Sequence, residues 1–258
     1  MDGLRARIDA LLNRYGYLII TVASFKGGVG KTTLAIELAH QLDAVLCDLD
    51  WNEGNASKAL GYRHDQRVRA PLLDAIEKGR PPVLVPGTAR RRPDLLPCHP
   101  DFQPNEPSRD HMADLLTAWA KHWGRVVVVD THPGDGESAF GAVMAAHLTL
   151  TPALLETKPL DALEQMLNDL ASFPLLVVPN AVPSVAPGFE VRRLAQMTEK
   201  VGAPVSSPVS AHRWLRTRKK YMPVSAAPAI PKAHEPYVSE IHTIALEAVT
   251  HVERAAAA

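Results

Sequence analysis

Cysteine is scarce in this sequence: Cys47 and Cys98 are the only two among 258 residues. Two thiols make no disulfide framework, which fits a reducing compartment. Net charge is absent as well, with 28 Lys+Arg against 28 Asp+Glu. That excludes a chain that is basic throughout and holds nucleic acid by charge everywhere, but it leaves room for a local basic patch. No apolar run reaches the roughly 18–20 residues of a membrane span. Residues 1–16 are charged throughout and lack the apolar core of a signal peptide. The expectation is a soluble, cytoplasmic protein. The 11 histidines show no H-E-x-x-H or similar metal spacing. A nucleophile elbow G-x-S-x-G is missing too, because Gly136-Glu137-Ser138 is followed by Ala139-Phe140-Gly141.

What is present suits a globular domain. Hydrophobic residues make up 46% and charged residues 22%, close to globular averages, so a sizeable core is expected within one domain over residues 1–258. Helical periodicity is read over 4–14, 31–42, 71–78, 109–122, 136–146, 159–172, 189–201 and 236–253. Apolar strand signals fall at 17–23, 44–50, 126–130, 147–151 and 175–179, with a shorter one at Leu95-Leu96. This alternation predicts an α/β fold with a mostly parallel sheet covered on both faces. Eight of the 22 prolines lie in residues 81–107, where irregular surface structure is expected.

The most informative stretch is Lys26-Gly27-Gly28-Val29-Gly30-Lys31-Thr32-Thr33, set between a predicted strand and a predicted helix. It meets the P-loop pattern G-x-x-x-x-G-K-[ST] in part: Phe25 stands where the first glycine is usual, and Gly27 and Gly28 supply the freedom instead. Glycines let successive N–H groups turn inward to cradle phosphate oxygens, and the following helix adds the positive end of its dipole. In that arrangement Lys31 reaches the β- and γ-phosphates and the Thr32 hydroxyl ligates Mg²⁺. It is not a dinucleotide fingerprint, since Lys31-Thr32-Thr33 follows where a third glycine is needed.

These residues resemble the deviant Walker A motif of the ParA/MinD group of P-loop ATPases, and the resemblance runs from about residue 18 to 232. It implies a P-loop NTPase fold with ATP and Mg²⁺ as cofactors. Residues 26–33 would bind nucleotide, and the early lysine, Lys26, would reach across an ATP-sandwiched homodimer to the partner's nucleotide. Asp48-Leu49-Asp50-Trp51-Asn52-Glu53-Gly54-Asn55-Ala56-Ser57 resembles the group's D-x-D-P-Q-G-N-A-[ST] switch. The match makes Asp50 the acid that orients the attacking water and puts Asp48 near the Mg²⁺ shell. Trp51 replaces the proline, and one extra residue precedes Gly54-Asn55. Val126–Asp130 resembles a Walker B strand, with Asp130 holding Mg²⁺ directly or through water. His132 is unusual in the continuation; it could sense the γ-phosphate, but a surface histidine is the favoured reading. Asn180 and Pro208, each after an apolar strand, resemble residues that approach adenine.

Residues 191–221 concentrate positive charge. Arg192, Arg193, Lys200, Arg213, Arg216, Arg218, Lys219 and Lys220 stand against Glu199 alone. Within them, 212–221 interleaves cations with Trp214 and Tyr221, which suits contacts to a phosphate backbone. ParA-like proteins bind DNA non-specifically through C-terminal basic residues, so Arg213, Arg216, Arg218, Lys219 and Lys220 are the candidate DNA contacts. Arg90–Arg92 is a weaker cluster. MinD-like relatives end in a basic amphipathic helix that binds membrane; here the last helix carries Glu235, Glu240, Glu247 and Glu253, so no membrane partner is expected. Fewer than 20 residues precede the first strand, too few for the helix-turn-helix domain of longer ParA relatives. The resemblance implies a ParA-like, nucleoid-associated partition ATPase stimulated by a ParB-like centromere-binding protein. A MinD-like positioning ATPase and a nucleotide-holding regulatory module stay open as alternatives.

Overall fold

The computed structural model describes residues 2–52, 55–63, 70–88, 91–218 and 222–257. Its strands are β1 (Leu18–Val22), β2 (Val45–Leu49), β3 (Asp94–Leu96), β4 (Val126–Thr131), β5 (Leu148–Ala153) and β6 (Leu175–Pro179). They form one sheet in the order β3-β2-β4-β1-β5-β6, and every neighbouring pair is parallel. The helices are α1 (Asp2–Tyr15), α2 (Lys31–Gln41), α3 (Ala56–Ala59), α4 (Pro71–Lys78), α5 (Arg109–Trp123), α6 (Glu137–Ala145), α7 (Thr157–Asp169), α8 (Gly188–Val201) and α9 (Glu235–Ala257). The expected α/β, doubly covered parallel sheet is the observed one.

Strand periodicity divides the core. Leu18, Ile20 and Val22 of β1 and Val126 and Val128 of β4 join a cluster with α1, α2 and α9. Ile19, Val127 and Val129 point the other way, into a cluster with α4 and α5. Successive side chains alternate across a strand, so an apolar run such as 126–129 is consistent only with burial on both faces. A third cluster packs α7 and α8 over the β5–β6 end. The apolar stripe of α9, including Tyr237, Ile241, Ile244 and Val249, is buried in the first cluster.

The proline-rich stretch is less irregular than its composition predicts. Val85 and Leu95 exchange backbone hydrogen bonds at 2.8 and 2.9 Å, beside the short strand β3. Pro100–Asn105 forms a 3₁₀ turn, with the His99 ring accepting from the Asp101 N–H. Its Phe102 is fully buried and ties the stretch to the core.

The parallel order places the carboxyl ends of β1, β2 and β4 side by side. Asp48 of β2 sits opposite Asp130 of β4, and Val22 of β1 sits opposite Asp130 on the other side. In an open α/β sheet, ligands bind at this edge of the strands.

Candidate nucleotide-binding site

The loop leaving β1 is shaped by its own atoms. Ser24 Oγ accepts from the Lys26 N–H at 3.1 Å and donates to the Lys26 carbonyl at 3.0 Å. Gly28 and Gly30 take φ of 80° and 98°, a region L-residues rarely enter. At Gly30 a Cβ would also collide with the Asn180 side-chain amide. Gly30 is the N-cap of α2 and provides no side-chain cap. The first-turn N–H groups of α2 are therefore left for a ligand, at the positive end of the helix dipole. Lys31 is buried, and burial lowers its pKa, with Asp130 and Asp50 acting in the opposite direction. Thr32 is half-buried and Thr33 exposed. Lys26 is exposed.

The two strand-end acids differ in what their oxygens do. Asp48 is fully buried. One of its oxygens accepts from the Asp50 N–H at 3.1 Å, and the other from the Ser57 N–H and hydroxyl at 2.7 and 2.5 Å. Burial still raises its pKa to about 7, with the Asp50 charge adding to the effect against those hydrogen bonds. Asp130 is also fully buried, and neither of its oxygens meets a hydrogen-bond partner. Burial first, then the neighbouring Asp48, raises its pKa well above normal; the nearby Thr32 hydroxyl and the Lys31 ammonium offset part of that. Asp48, expected near the metal shell, is thus committed to the backbone that follows it. Each Asp48 oxygen accepts a hydrogen bond, and neither Asp130 oxygen does.

The segment after β2 is folded around Asp50. Its side chain accepts from the Asn52 N–H at 3.0 Å, and its carbonyl accepts from the Asn55 side chain at 2.6 Å. Asn55 then caps α3 by accepting from the Lys58 N–H. Glu53 and Gly54 lie outside the described residues. His132, expected as a plain surface histidine, is half-buried and stacked on Trp51, with ring centroids 3.9 Å apart and planes 5° from parallel. In the sequence Trp51 and His132 stand as separate departures; their common position just after the paired strands β2 and β4 is the signal that joins them.

A cavity of about 490 Å³ opens on the other side of the loop, lined among others by Gly30, Thr33, Asn180, Arg213, Arg216 and Tyr237. Asn180 donates to the Val29 carbonyl at 2.7 Å. Pro208 does not follow a strand and does not line this cavity. It is exposed within an extended segment that bridges β6 at Val205 and pairs Ser210 with Val182. Residues 209–213 line the cavity instead. The basic stretch is not one patch. Arg192 and Lys200 border a separate groove on α8, where Arg193 is neutralised by Asp161 and Glu164 at 2.7 and 2.9 Å. Arg213 and Arg216 are exposed on a 3₁₀ turn, Arg213–Thr217, and Arg218 is half-buried after it. That turn is held to α9: His212 meets Glu240 at 2.9 Å, and Trp214 stacks on His234 and packs edge-on against Tyr237. Lys219, Lys220, Tyr221 and Arg90 lie outside the described residues.

The family model described as the CobQ/CobB/MinD/ParA nucleotide binding domain matches residues 20–222. The chain belongs to the ParA/MinD family of P-loop ATPases. Chromosome partitioning protein ParA of Myxococcus xanthus is 30% identical over 165 residues, which cover 59% of this chain and 57% of that protein. The match therefore spans little more than half of that relative's length. Among solved structures, the Cyanothece McdA–ATP complex has a TM-score of 0.70 at 20% identity, covering 90% of this chain and 96% of that one. Cobyrinic acid a,c-diamide synthase from Mycobacterium smegmatis, with bound ADP and magnesium, has a TM-score of 0.69 at 19% identity, covering 92% and 96%. At such identities the structural likeness concerns the fold alone.

ParA/MinD-type sites work with a nucleotide and a divalent ion, and the residues present fit both. The uncapped α2 terminus and the buried Lys31 suit phosphate. The unpartnered Asp130 oxygens next to Thr32 suit a hydrated cation. No group of three or more His, Cys, Asp or Glu able to hold a metal occurs among the described residues.

Proposed function

We propose that this chain is a ParA-like partition ATPase with a single nucleotide-binding domain. The observation that carries the reading is the pair of orphaned Asp130 oxygens, set between Lys31 and Thr32 beneath an uncapped glycine N-terminus. Such an arrangement is costly unless a cation and an anion complete it.

In this reading, residues 27–33 hold the ATP phosphates, and Lys31 neutralises the charge that builds on the β- and γ-oxygens. Thr32 and Asp130 would hold Mg²⁺, which would supply positive charge against the phosphates. Asp50, fixed by Asn52 and Asn55, orients the attacking water. Lys26, exposed at the mouth, is free to reach a second subunit's nucleotide. Asn180 braces the loop toward the base side. The turn carrying Arg213 and Arg216 borders the nucleotide cavity, so a basic surface lies where nucleotide state can influence it. DNA would bind there through backbone phosphates, and a ParB-like activator would end the bound state by stimulating hydrolysis. The working place would be the nucleoid.

Membrane binding through the last helix receives no support, because the apolar stripe of α9 is already buried in the core. Its acids are engaged as well: Glu240 with His212, Glu247 with Ser207 and Glu253 with Arg7. Among the described residues no helix is long and apolar enough to cross a membrane.

The experiment is a DNA-binding titration with ATP, ADP and no nucleotide at several salt concentrations, run beside a liposome sedimentation with ATP. Retention on DNA that requires ATP and weakens with salt supports the reading. Liposome binding without DNA binding would sink it in favour of a MinD-like role.

A further inference from the structure

The Trp51–His132 pair is not used by phosphate or metal binding, yet it occupies the mouth of the site. Leu49 and Thr131 are register partners at the ends of β2 and β4. The chain therefore delivers Asp50-Trp51-Asn52 and His132 side by side. The Trp51 and His132 rings lie face to face at 3.9 Å. Asn52 Nδ2 lies 2.8 Å from His132 Nε2. An amide nitrogen only donates, so Nε2 is the acceptor and the ring proton belongs on Nδ1. Trp51 also packs, tilted by 57°, against the fully buried Phe102, with ring centroids 5.9 Å apart. Trp51 thus stacks on His132 and touches the core through Phe102, and Asn52 joins the histidine. The same Asn52 donates its backbone N–H to the Asp50 carboxylate at 3.0 Å.

We propose that Trp51 and His132 are positioning residues for hydrolysis: their stack, through Asn52, holds the Asp50 carboxylate in place to orient the attacking water. The inference rests on the ATPase reading given above. Trp51 has no ring closing on its own backbone to fix φ, so the segment after Asp50 relies on side-chain contacts for its rigidity. A stack joins the ends of two strands that are already in register, so little further order is needed to close it. Neither ring contributes a proton or a ligand to the reaction; each acts on Asp50. The expected signature is therefore a loss in kcat with nucleotide binding preserved.

The test uses the full chain and measures steady-state ATP hydrolysis and equilibrium binding of a fluorescent ATP analogue. Trp51→Ala and His132→Ala are expected to lower kcat about tenfold, the scale of losing one aromatic stack. KM and analogue affinity should stay within about twofold. Trp51→Phe, which keeps a ring face, should retain most of the rate, whereas His132→Phe, which keeps the face but cannot accept from Asn52, should not. His132 is half-buried, so its variants keep the test open if Trp51→Ala does not fold. A second readout needs no turnover. His132→Ala should change tryptophan emission in nucleotide-free protein, and that change should vanish in a Trp51→Phe background. Wild-type kcat in both alanine variants, a rise in KM alone, or unchanged emission would overturn the proposal. Absence of turnover in the unmodified chain would instead overturn the ATPase reading, and the emission measurement would still report on the stack.

Discussion

The Asn180 side chain, just beyond β6, donates to the Val29 carbonyl in the phosphate loop at 2.7 Å. It joins residues 151 positions apart and packs against Gly30 so closely that no Cβ fits there. Asn180→Ala removes one hydrogen bond and opens space beside a glycine at φ 98°. One such bond is worth about 0.5–1.5 kcal/mol, so nucleotide affinity should fall roughly two- to tenfold with little loss of fold stability. Gly30→Ala should be far worse, since it meets both the backbone strain and the Asn180 amide. Gly28→Ala serves as the comparison: φ is 80°, but the space is open. Calorimetric titration with a non-hydrolysable ATP analogue should rank affinity as wild type, Asn180→Ala and Gly28→Ala, then Gly30→Ala. A Gly30→Ala variant that binds normally would contradict this account of the loop.

Asp130 gives a prediction in which stability and function move in opposite directions. Its two buried oxygens lack partners, and burial together with Asp48 disfavours its charge more than Lys31 and Thr32 favour it. Asp130→Asn keeps the shape and removes the charge. Since burial and Asp48 disfavour the charge more than Lys31 and Thr32 favour it, removing it should raise the melting temperature of the nucleotide-free protein. Magnesium-dependent nucleotide affinity should drop, because the free carboxylate is the feature that suits a cation. Differential scanning calorimetry with and without Mg-ATP measures both. A variant that loses stability in the apo state would show that Asp130 is better compensated than its geometry indicates.

The sheet and the phosphate loop were legible because their signals are local. An unbroken run of β-branched residues at 126–129 demands burial on both faces, and Gly28 and Gly30 in K-G-G-V-G-K-T-T demand positive φ. The division of labour between Asp48 and Asp130 was not legible. It depends on Ser57, nine residues on, turning back to donate to Asp48, and a pattern match treats both acids alike. The basic stretch misled for a related reason. Counting charge along 191–221 cannot see that Arg193 is neutralised by α7, nor that Arg213 and Arg216 leave α8 behind and join the cavity wall. The stack of Trp51 on His132 needed the strand register, which fixes where two distant departures meet. The proline-rich composition of 81–107 signals irregular structure, yet Val85, a residue with its N–H intact, still pairs with Leu95.

Glu37 links the phosphate-loop helix to the segment beyond the basic turn. It lies on α2, buried, and accepts from the Val224 N–H at 2.5 Å and from the Ser225 N–H and hydroxyl at 3.2 and 2.7 Å. Burial raises its pKa, against the pull of these donors and of the Arg218 charge. Glu37→Ala would leave the Val224 N–H, which is buried, without its acceptor. The expected cost is about 1–3 kcal/mol, seen as a lower urea midpoint with an unchanged slope. Since the anchor follows the turn carrying Arg213 and Arg216, DNA affinity should weaken more than nucleotide affinity. Equal losses of both would mean that the anchor serves the fold as a whole and not the turn.

His147 sets a pH dependence of stability. Its Nδ1 accepts from the Ile19 N–H at 3.1 Å, and the ring lies edge-on to Tyr15 and Tyr17. Burial lowers its pKa. In the folded state the ring is therefore held neutral, while in the unfolded chain it protonates near its ordinary value of about 6.5. Above that pH neither state takes the proton and the contribution to stability is complete. As pH falls through about 6.5, the unfolded chain binds the proton first and stability declines, until the folded-state pKa is passed. His147→Asn keeps an oxygen able to accept from Ile19 but does not titrate. Urea midpoints at pH 7.5 and 5.5 should differ less in this variant than in the wild type. His40 and His251, whose pKa values burial also lowers, retain their shares, so the decline is reduced and not abolished. An undiminished difference between the two pH values would show that His147 does not carry this part of the linkage.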